Sequence, residues 1–260
     1  MGHVRLGVLP TSKKWRKVVE ELRLGVEVGE IAAAAADAAE TSLAKTSSDP
    51  AFLESFWLLT QIPFAARGPA FVEDLRRLGL EVDERPGLMD VVAAFSAAVD
   101  CHVHDEGART DLGEMAQMAA IESLAAMVGP LLPSLFDPTP EEVQHAIGRF
   151  ASGDHFSTLA REFFARLTLR SLEYYLSREL SNHIGPQERF GDDGERAAFD
   201  DALNRHCREA SRIVENFAGG WYGKNVYQGD GLTPETVRRF AQVAFGKIRA
   251  ELRKRRDAQT

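Results

Sequence analysis

Apolar residues recur every three or four positions along nearly the whole chain, which is the period of an α-helix. Trp15, Val18 and Leu22 share one such face near the amino terminus. Ser12 precedes them and is a favourable N-cap residue. The pattern predicts an all-α fold, an irregular array of about nine or ten helices. We expect these helices at residues 12–25, 31–45, 49–63, 70–78, 88–104, 111–128, 154–183, 195–218 and 234–256, with one more beginning at residue 139.

Two short motifs mark where particular helices begin. Asp49 and Pro50 are typical of an N-cap followed by a first helical residue. Thr139 and Glu142 match a capping box. The helix that starts at Pro50 is apolar on nearly all sides, so it should be central to the core, with a kink or break before Pro63.

The chain is long enough to bury one large core or two small ones. We expect a single helical domain over residues 1–260. The loop 129–140, which contains four prolines, is the candidate boundary if the chain divides into 1–130 and 140–260. Residues 3–9 are compatible with a short strand, and the glycine-rich residues 219–231 with an irregular connection or small hairpin.

Composition indicates a globular protein, because 44% of the residues are hydrophobic and 27% are charged. Cys101 and Cys207 provide no disulfide framework. No amino-terminal signal peptide is visible. The most apolar run, residues 51–66, is too short to span a bilayer. We therefore expect a cytoplasmic protein without a membrane partner.

The net charge of −8 is unevenly distributed along the chain. Residues 1–24 carry +4 and residues 161–260 carry +3, whereas residues 25–160 carry −15. The basic ends either fold against the acidic middle or contact a polyanion. Arginine outnumbers lysine 24 to 7, from which we infer a GC-rich bacterial genome. Four basic residues follow one another in the last helix: Arg253, Lys254, Arg255 and Arg256.

Residues 215–231, ENFAGGWYGKNVYQGDG, combine four aromatic residues with five glycines. Gly219 or Gly220 is expected to end the preceding helix with a positive φ angle. Two arrangements are open for the aromatic rings that follow, which are those of Trp221, Tyr222 and Tyr227. They cover the apolar seam between the last two helices, or they form with Lys224 an exposed aromatic platform for a partner.

The sharpest chemical motif is VDCHVHDEG, residues 99–107. It resembles the D-x-H-x-H segment of the amidohydrolases, particularly the dihydroorotases. This resemblance implies that His102 and His104 hold a metal ion that activates water. Two residues two positions apart point the same way on a strand, but the preceding segment has a helical period. The helical alternative places His102 at the edge of the core and pairs His104 with Asp100.

The sequence contains no nucleophile, base and orienting group at a spacing typical of a catalytic site. No cofactor-binding motif stands between the secondary-structure elements that it requires. The sequence therefore favours a non-enzymatic interaction or scaffold protein without a cofactor, a subunit of a larger bacterial assembly with a protein partner. One alternative is a nucleic-acid-binding accessory protein in which Lys224 and the basic residues of the carboxyl-terminal helix contact phosphate and the aromatic rings stack on bases. The other is a metal-dependent hydrolase centred on the HVH motif. The oligomeric state stays open. The candidate partner-binding residues are Trp221, Tyr222, Lys224, Tyr227, Arg253, Lys254, Arg255 and Arg256.

Overall fold

The computed structural model describes residues 10–106, 109–133, 137–228 and 232–259, and in these ranges helices are joined by connections without a sheet. The prediction of an all-α fold is confirmed. The described part of the chain contains twelve α-helices, close to the nine or ten expected. The suggested strand at residues 3–9 lies outside the described residues.

The helices follow one another along the chain with few long connections, and none in the described ranges has both the length and the hydrophobicity to cross a bilayer. They are α1 (Lys13–Arg23), α2 (Val28–Ala38), α3 (Glu40–Thr46), α4 (Pro50–Ala65), α5 (Phe71–Arg77), α6 (Leu88–Glu106), α7 (Asp111–Val128), α8 (Pro140–Gly148), α9 (Gly153–Ser181), α10 (Asp193–Ala210), α11 (Glu215–Gly223) and α12 (Pro234–Gln259). Short 3-10 helices occupy Gly129–Leu131, Arg149–Ala151 and Ser211–Val214, and a π-helical turn occupies Lys224–Gln228.

The predicted helix starts are confirmed by their hydrogen bonds. Asp49 accepts hydrogen bonds from the backbone N–H groups of Ala51 and Phe52, which caps α4. Thr139 and Glu142 form the capping box of α8, in which each side chain accepts from the other residue's backbone N–H. Such bonds satisfy amide groups that the helix itself leaves without partners, and each cap contributes about 1 kcal/mol.

Helices α4 and α9 carry much of the aromatic core. α4 packs against α6, α7 and α12, and α9 packs against α7, α10 and α11. Phe52 and Phe56 of α4 meet Phe163 and Phe164 of α9, and all four side chains are fully buried. The prediction that the apolar helix after Pro50 lies at the centre of the core is therefore confirmed.

Pro63 does not end α4, which continues to Ala65. The prediction of a break before this proline is wrong. Proline removes one hydrogen bond to the carbonyl four residues earlier. Both Ile62 and Pro63 are buried, and this packing offsets the missing bond so that the helix continues for two more residues.

One continuous set of buried apolar side chains spans both sides of the proline-rich loop 129–140. α4 packs on α12 and α7 packs on α9, so helices before the loop contact helices after it. The choice between one and two domains stays a prediction. The end of α4 lies beside the π-helical turn, where Phe64 contacts Tyr227.

Candidate functional site

Residues 215–228 are helical throughout, because α11 continues directly into the π-helical turn Lys224–Gln228. Gly219 and Gly220 do not end a helix and neither has a positive φ angle, so both expectations are wrong. Residues 229–231, on which a hairpin would depend, lie outside the described residues. Glycine is a poor helix former, so tertiary contacts must stabilise this segment as a helix.

Gly219 allows α11 to touch the amino-terminal end of α9. A Cβ atom at Gly219 would lie 2.8 Å from the carbonyl oxygen of Gly153, which is closer than real Cβ contacts. A Cβ atom at Gly153 would lie 3.1 Å from the carbonyl oxygen of Gly219. The two backbones thus approach so closely that a side chain at Gly219 would force them apart, and one at Gly153 would be tightly crowded.

Tyr222 is fully buried and Trp221 is partly buried. The Tyr222 ring stacks on Phe156 with centroids 4.1 Å apart, and its hydroxyl donates to the Thr60 carbonyl at 3.2 Å. Trp221 lies against Phe240 with centroids 4.3 Å apart. Both rings cover apolar surface. Tyr222 is therefore corrected as a candidate contact residue, because a buried side chain offers no surface to a partner.

Burial raises the pKa of the Tyr222 hydroxyl, and the neighbouring Tyr227 raises that pKa further. The hydroxyl therefore stays neutral and remains a hydrogen-bond donor at neutral pH. The folded-state pKa lies above the ordinary tyrosine pKa of about 10. The contribution of this hydroxyl to the free energy of unfolding is therefore fully present below about pH 10. It is lost as the pH rises from there toward the folded-state pKa.

Tyr227 reaches the surface, where its side chain is 46% exposed. Its hydroxyl donates to the Ala151 carbonyl at 2.6 Å and accepts a hydrogen bond from the Arg67 guanidinium. The carbon of that guanidinium lies 5.3 Å from the Tyr227 ring centroid. Phe64, which is 41% exposed, meets Tyr227 edge-on with centroids 5.9 Å apart. Two half-exposed rings are thus fixed side by side.

A surface cavity of about 590 Å³ opens beside these two rings, between the end of α4, helix α5 and the π-helical turn. This volume falls within the range of about 300–1,000 Å³ that is typical of ligand sites. We call the cavity the Tyr227 groove. Its lining includes Phe64, Arg67, Asp74, Arg77, Leu78 and Tyr227.

Two basic residues of the last helix face carboxylates of the same chain. Arg253 donates to both carboxylate oxygens of Asp37, at 2.7 and 2.9 Å. Lys254 lies 2.6 Å from the Glu251 carboxylate. The Arg253–Asp37 pair joins the basic carboxyl-terminal region to the acidic middle of the chain, as one of the two explanations of the uneven charge expects, whereas the Lys254–Glu251 pair is local to α12.

The remaining basic residues predicted to contact a partner either lie apart from the groove or have side chains outside the described part of the chain. Lys224 is exposed at the start of the π-helical turn, and neither Lys224 nor Arg253 lines the Tyr227 groove. The side chains of Arg255 and Arg256 lie outside the described residues. Of the predicted contact residues whose side chains are described, Tyr227 lines the groove, and Lys224, Arg253 and Lys254 do not.

The HVH motif lies on α6, so the strand geometry that the amidohydrolase resemblance implies is wrong. Residues two apart on a helix point about 200° apart and cannot share one metal ion. His102 is partly exposed and its Nδ1 lies 3.9 Å from the Glu54 carboxylate, whereas His104 is exposed. Asp100, the expected partner of His104, lies 3.3 Å from Arg109. Among the described residues, no three His, Cys, Asp or Glu side chains cluster as a metal site.

The burial of Glu54 beside His102 predicts a pH-dependent stability. Burial raises the pKa of Glu54, and His102 opposes this shift. When folding raises the pKa of a carboxyl group, the contribution of that group to the free energy of unfolding is fully present below its ordinary pKa of about 4.3. This contribution is lost as the pH rises through the folded-state pKa. Glu54→Gln removes this loss, so the variant should gain stability relative to the wild type between pH 4 and pH 7.

Urea unfolding at pH 4, 5.5 and 7 measures this difference in the free energy of unfolding. The exposed Glu81 provides the control, because Glu81→Gln changes the same functional group without burial. A difference between Glu54→Gln and the wild type that stays constant over this pH range would contradict the assignment.

Sequence reasoning missed Phe64, Arg67 and Arg77, which line the groove together with Tyr227. One signal was present: α4 is apolar on nearly all sides, so a helix that ends at the surface must expose part of its apolar side. Phe64 stands in the last turn of α4 and is that exposed residue. The two arginines had no such signal, because they come together with Tyr227 in one cavity only through tertiary structure, and Arg67 is separated from Tyr227 by 160 positions.

Contacts within the chain fix the positions of the aromatic rings and charged groups of the Tyr227 groove. No protein-family model, no curated protein and no solved structure matches this chain.

Proposed function

We propose that this chain is a non-enzymatic helical interaction protein, a subunit of a larger cytoplasmic bacterial assembly, and that a segment of its protein partner binds in the Tyr227 groove. One observation carries the proposal. Phe64 and Tyr227 are 41% and 46% exposed at the rim of a cavity of about 590 Å³. Aromatic side chains at the centre of a contact surface supply much of the binding energy of protein interfaces.

The Tyr227 ring is held in place before any partner binds. Its hydroxyl is engaged with the Ala151 carbonyl and the Arg67 guanidinium, and its edge is contacted by Phe64 and by the buried Tyr222. Binding to a ring that is already fixed costs less side-chain entropy than binding to a free one. This preorganisation favours a contact surface over an accidental exposure.

The chemistry of the groove lining supports binding over catalysis. Asp74 is the carboxylate among the described lining residues, and it is paired with Arg77. The described lining contains no histidine, cysteine, serine or lysine. Asp74 and Tyr227 are the described lining residues of a type that serves in general acid–base catalysis, and both are engaged, Asp74 with Arg77 and Tyr227 with Ala151 and Arg67.

Removing the rings of the groove should release the partner. We expect affinity purification of the tagged wild-type chain from its native host to recover one stoichiometric partner. Tyr227→Ala and Phe64→Ala should each lose it, because truncation of a central aromatic residue costs at least about 2 kcal/mol, or roughly thirtyfold in affinity. Quantitative mass spectrometry of the recovered proteins measures the effect.

Val243→Ala is the matched control, since Val243 is 48% exposed on α12 and does not line the groove. This variant should recover the partner as the wild type does. A chain that purifies alone, or a partner that stays bound to both ring variants, would overturn the proposal.

A further inference from the structure

The Tyr227 groove is locally basic although the chain as a whole is acidic. Its described lining contains two arginines, Arg67 and Arg77, and one carboxylate, Asp74. The chain carries a net charge of −8. A local positive charge beside exposed aromatic rings therefore stands out from the surrounding surface.

The Arg67 guanidinium has hydrogen-bond donors that its contacts with the described residues do not use for ion pairing. It is exposed, and its guanidinium contacts the hydroxyl and the ring of Tyr227. Among the described residues, no carboxylate oxygen lies within 4.0 Å of its nitrogens. A guanidinium has five N–H donors arranged to bind a carboxylate through two parallel hydrogen bonds.

Within the described part of the chain, Arg77 forms a local, exposed ion pair. Its partner is Asp74, three residues earlier on α5, and the Arg77 side chain is 70% exposed. Exposed pairs of this kind contribute between about 0 and 1 kcal/mol. A carboxylate from a partner can therefore replace or join Asp74 at little cost.

We infer that the groove binds an acidic amphipathic protein segment, in which an apolar or aromatic side chain contacts Phe64 and Tyr227 and an adjacent Asp or Glu binds Arg67 and Arg77. This inference rests on the proposed function, and it adds the chemistry of the partner. The rings supply the contact area, and the arginines select for carboxylates through charge-assisted hydrogen bonds.

A short acidic segment fits the charge of this chain better than a nucleic acid does. A nucleic-acid duplex carries one negative charge per roughly 1.7 Å of its axis, and the acidic surface of a −8 chain repels such a polyanion over its whole length. One or two carboxylates held directly at Arg67 and Arg77 avoid most of this repulsion, because screening limits it to about 10 Å.

The test is a selection from a phage-displayed library of random 12-residue peptides on the full chain. Three immobilised proteins are compared: the wild type, the double variant Arg67→Gln/Arg77→Gln, and Phe64→Ala. The wild type should enrich peptides that combine an aromatic or large aliphatic residue with Asp or Glu. The double variant should lose the acidic preference and keep the apolar residue, and Phe64→Ala should lose both.

A synthetic copy of a selected peptide then measures how much the acidic residues contribute to the affinity. Replacing its Asp and Glu by Asn and Gln should weaken binding to the wild type about tenfold, which is the effect of about 1.4 kcal/mol. The same replacement should leave binding to the double variant nearly unchanged. Raising the salt concentration should weaken the acidic peptide more than its amide counterpart.

The possible failures are distinguishable. Enriched peptides that bind through Phe64 but lack acidic residues, or carry Lys or Arg instead, overturn the acidic preference and leave the proposed function standing. Peptides that bind Phe64→Ala as well as the wild type overturn the groove as the binding site, and so does a selection that enriches nothing. Dimerisation of the wild type that Phe64→Ala abolishes, or displacement of a selected peptide by a single-stranded oligonucleotide, overturns the assignment of the occupant.

Discussion

Phe56→Ala is expected to lower the free energy of unfolding by about 3–5 kcal/mol, the range for removing a fully buried phenylalanine. The Phe56 ring is 0% exposed and lies within 5.5 Å, centroid to centroid, of Phe163, Phe164 and Phe240. Alanine at this position leaves a cavity between α4, α9 and α12 that these rigid neighbours cannot fill. Urea unfolding followed by far-ultraviolet circular dichroism measures the loss.

Phe64→Ala is the matched control on the same helix. Its side chain is 41% exposed, so the same truncation removes less buried area and should cost about 1 kcal/mol. Equal losses for the two variants would contradict the burial assigned to these rings. The comparison also shows whether Phe64→Ala stays folded, which the binding experiments on the Tyr227 groove require.

Gly219→Ala is expected to destabilise the protein by about 1–3 kcal/mol, although alanine is normally the better helix former. The added methyl group would lie 2.8 Å from the carbonyl oxygen of Gly153 and 3.1 Å from its carbonyl carbon. Both are backbone atoms at the start of α9, so no side chain can rotate away. The two helices must separate, and the packing of Tyr222 on Phe156 loosens with them.

Gly220→Ala provides the control at the neighbouring position. A Cβ atom there would meet no atom within 4 Å, so the variant should gain up to about 1 kcal/mol from higher helix propensity. Thermal and urea unfolding of both variants measure the opposite signs. If Gly219→Ala also gained stability, the close contact between α9 and α11 would be refuted.

Helices were predictable because their signals are local. The apolar period marks the buried face, and the caps at Asp49 and Thr139 involve residues within three positions of one another. Predictions of helix ends from the local sequence were wrong where tertiary contacts stabilise the helix. Pro63 lies inside α4, and Gly219 lies inside α11, because packing at each position outweighs the unfavourable helix propensity of proline and glycine.

The candidate site was only partly predictable. Residues 215–231 stood out by composition, and Tyr227 was among the residues named for a contact. Its neighbours Phe64 and Arg67 are about 160 positions away in sequence. Nothing in the local pattern of either segment indicates that they meet, since each is helical on its own and the contact depends on how α4 and the π-helical turn pack.

The sequence by itself determined the helical class of this protein, most helix positions and the caps, because hydrogen bonds and apolar periodicity act over a few residues. Only the tertiary structure decided which ring faces which way. Tyr222 is buried against Phe156, whereas Tyr227, five residues later, stands half exposed beside Arg67. The physical reason is that the exposure of a side chain depends on which other helices cover it, and that is set by contacts between distant parts of the chain.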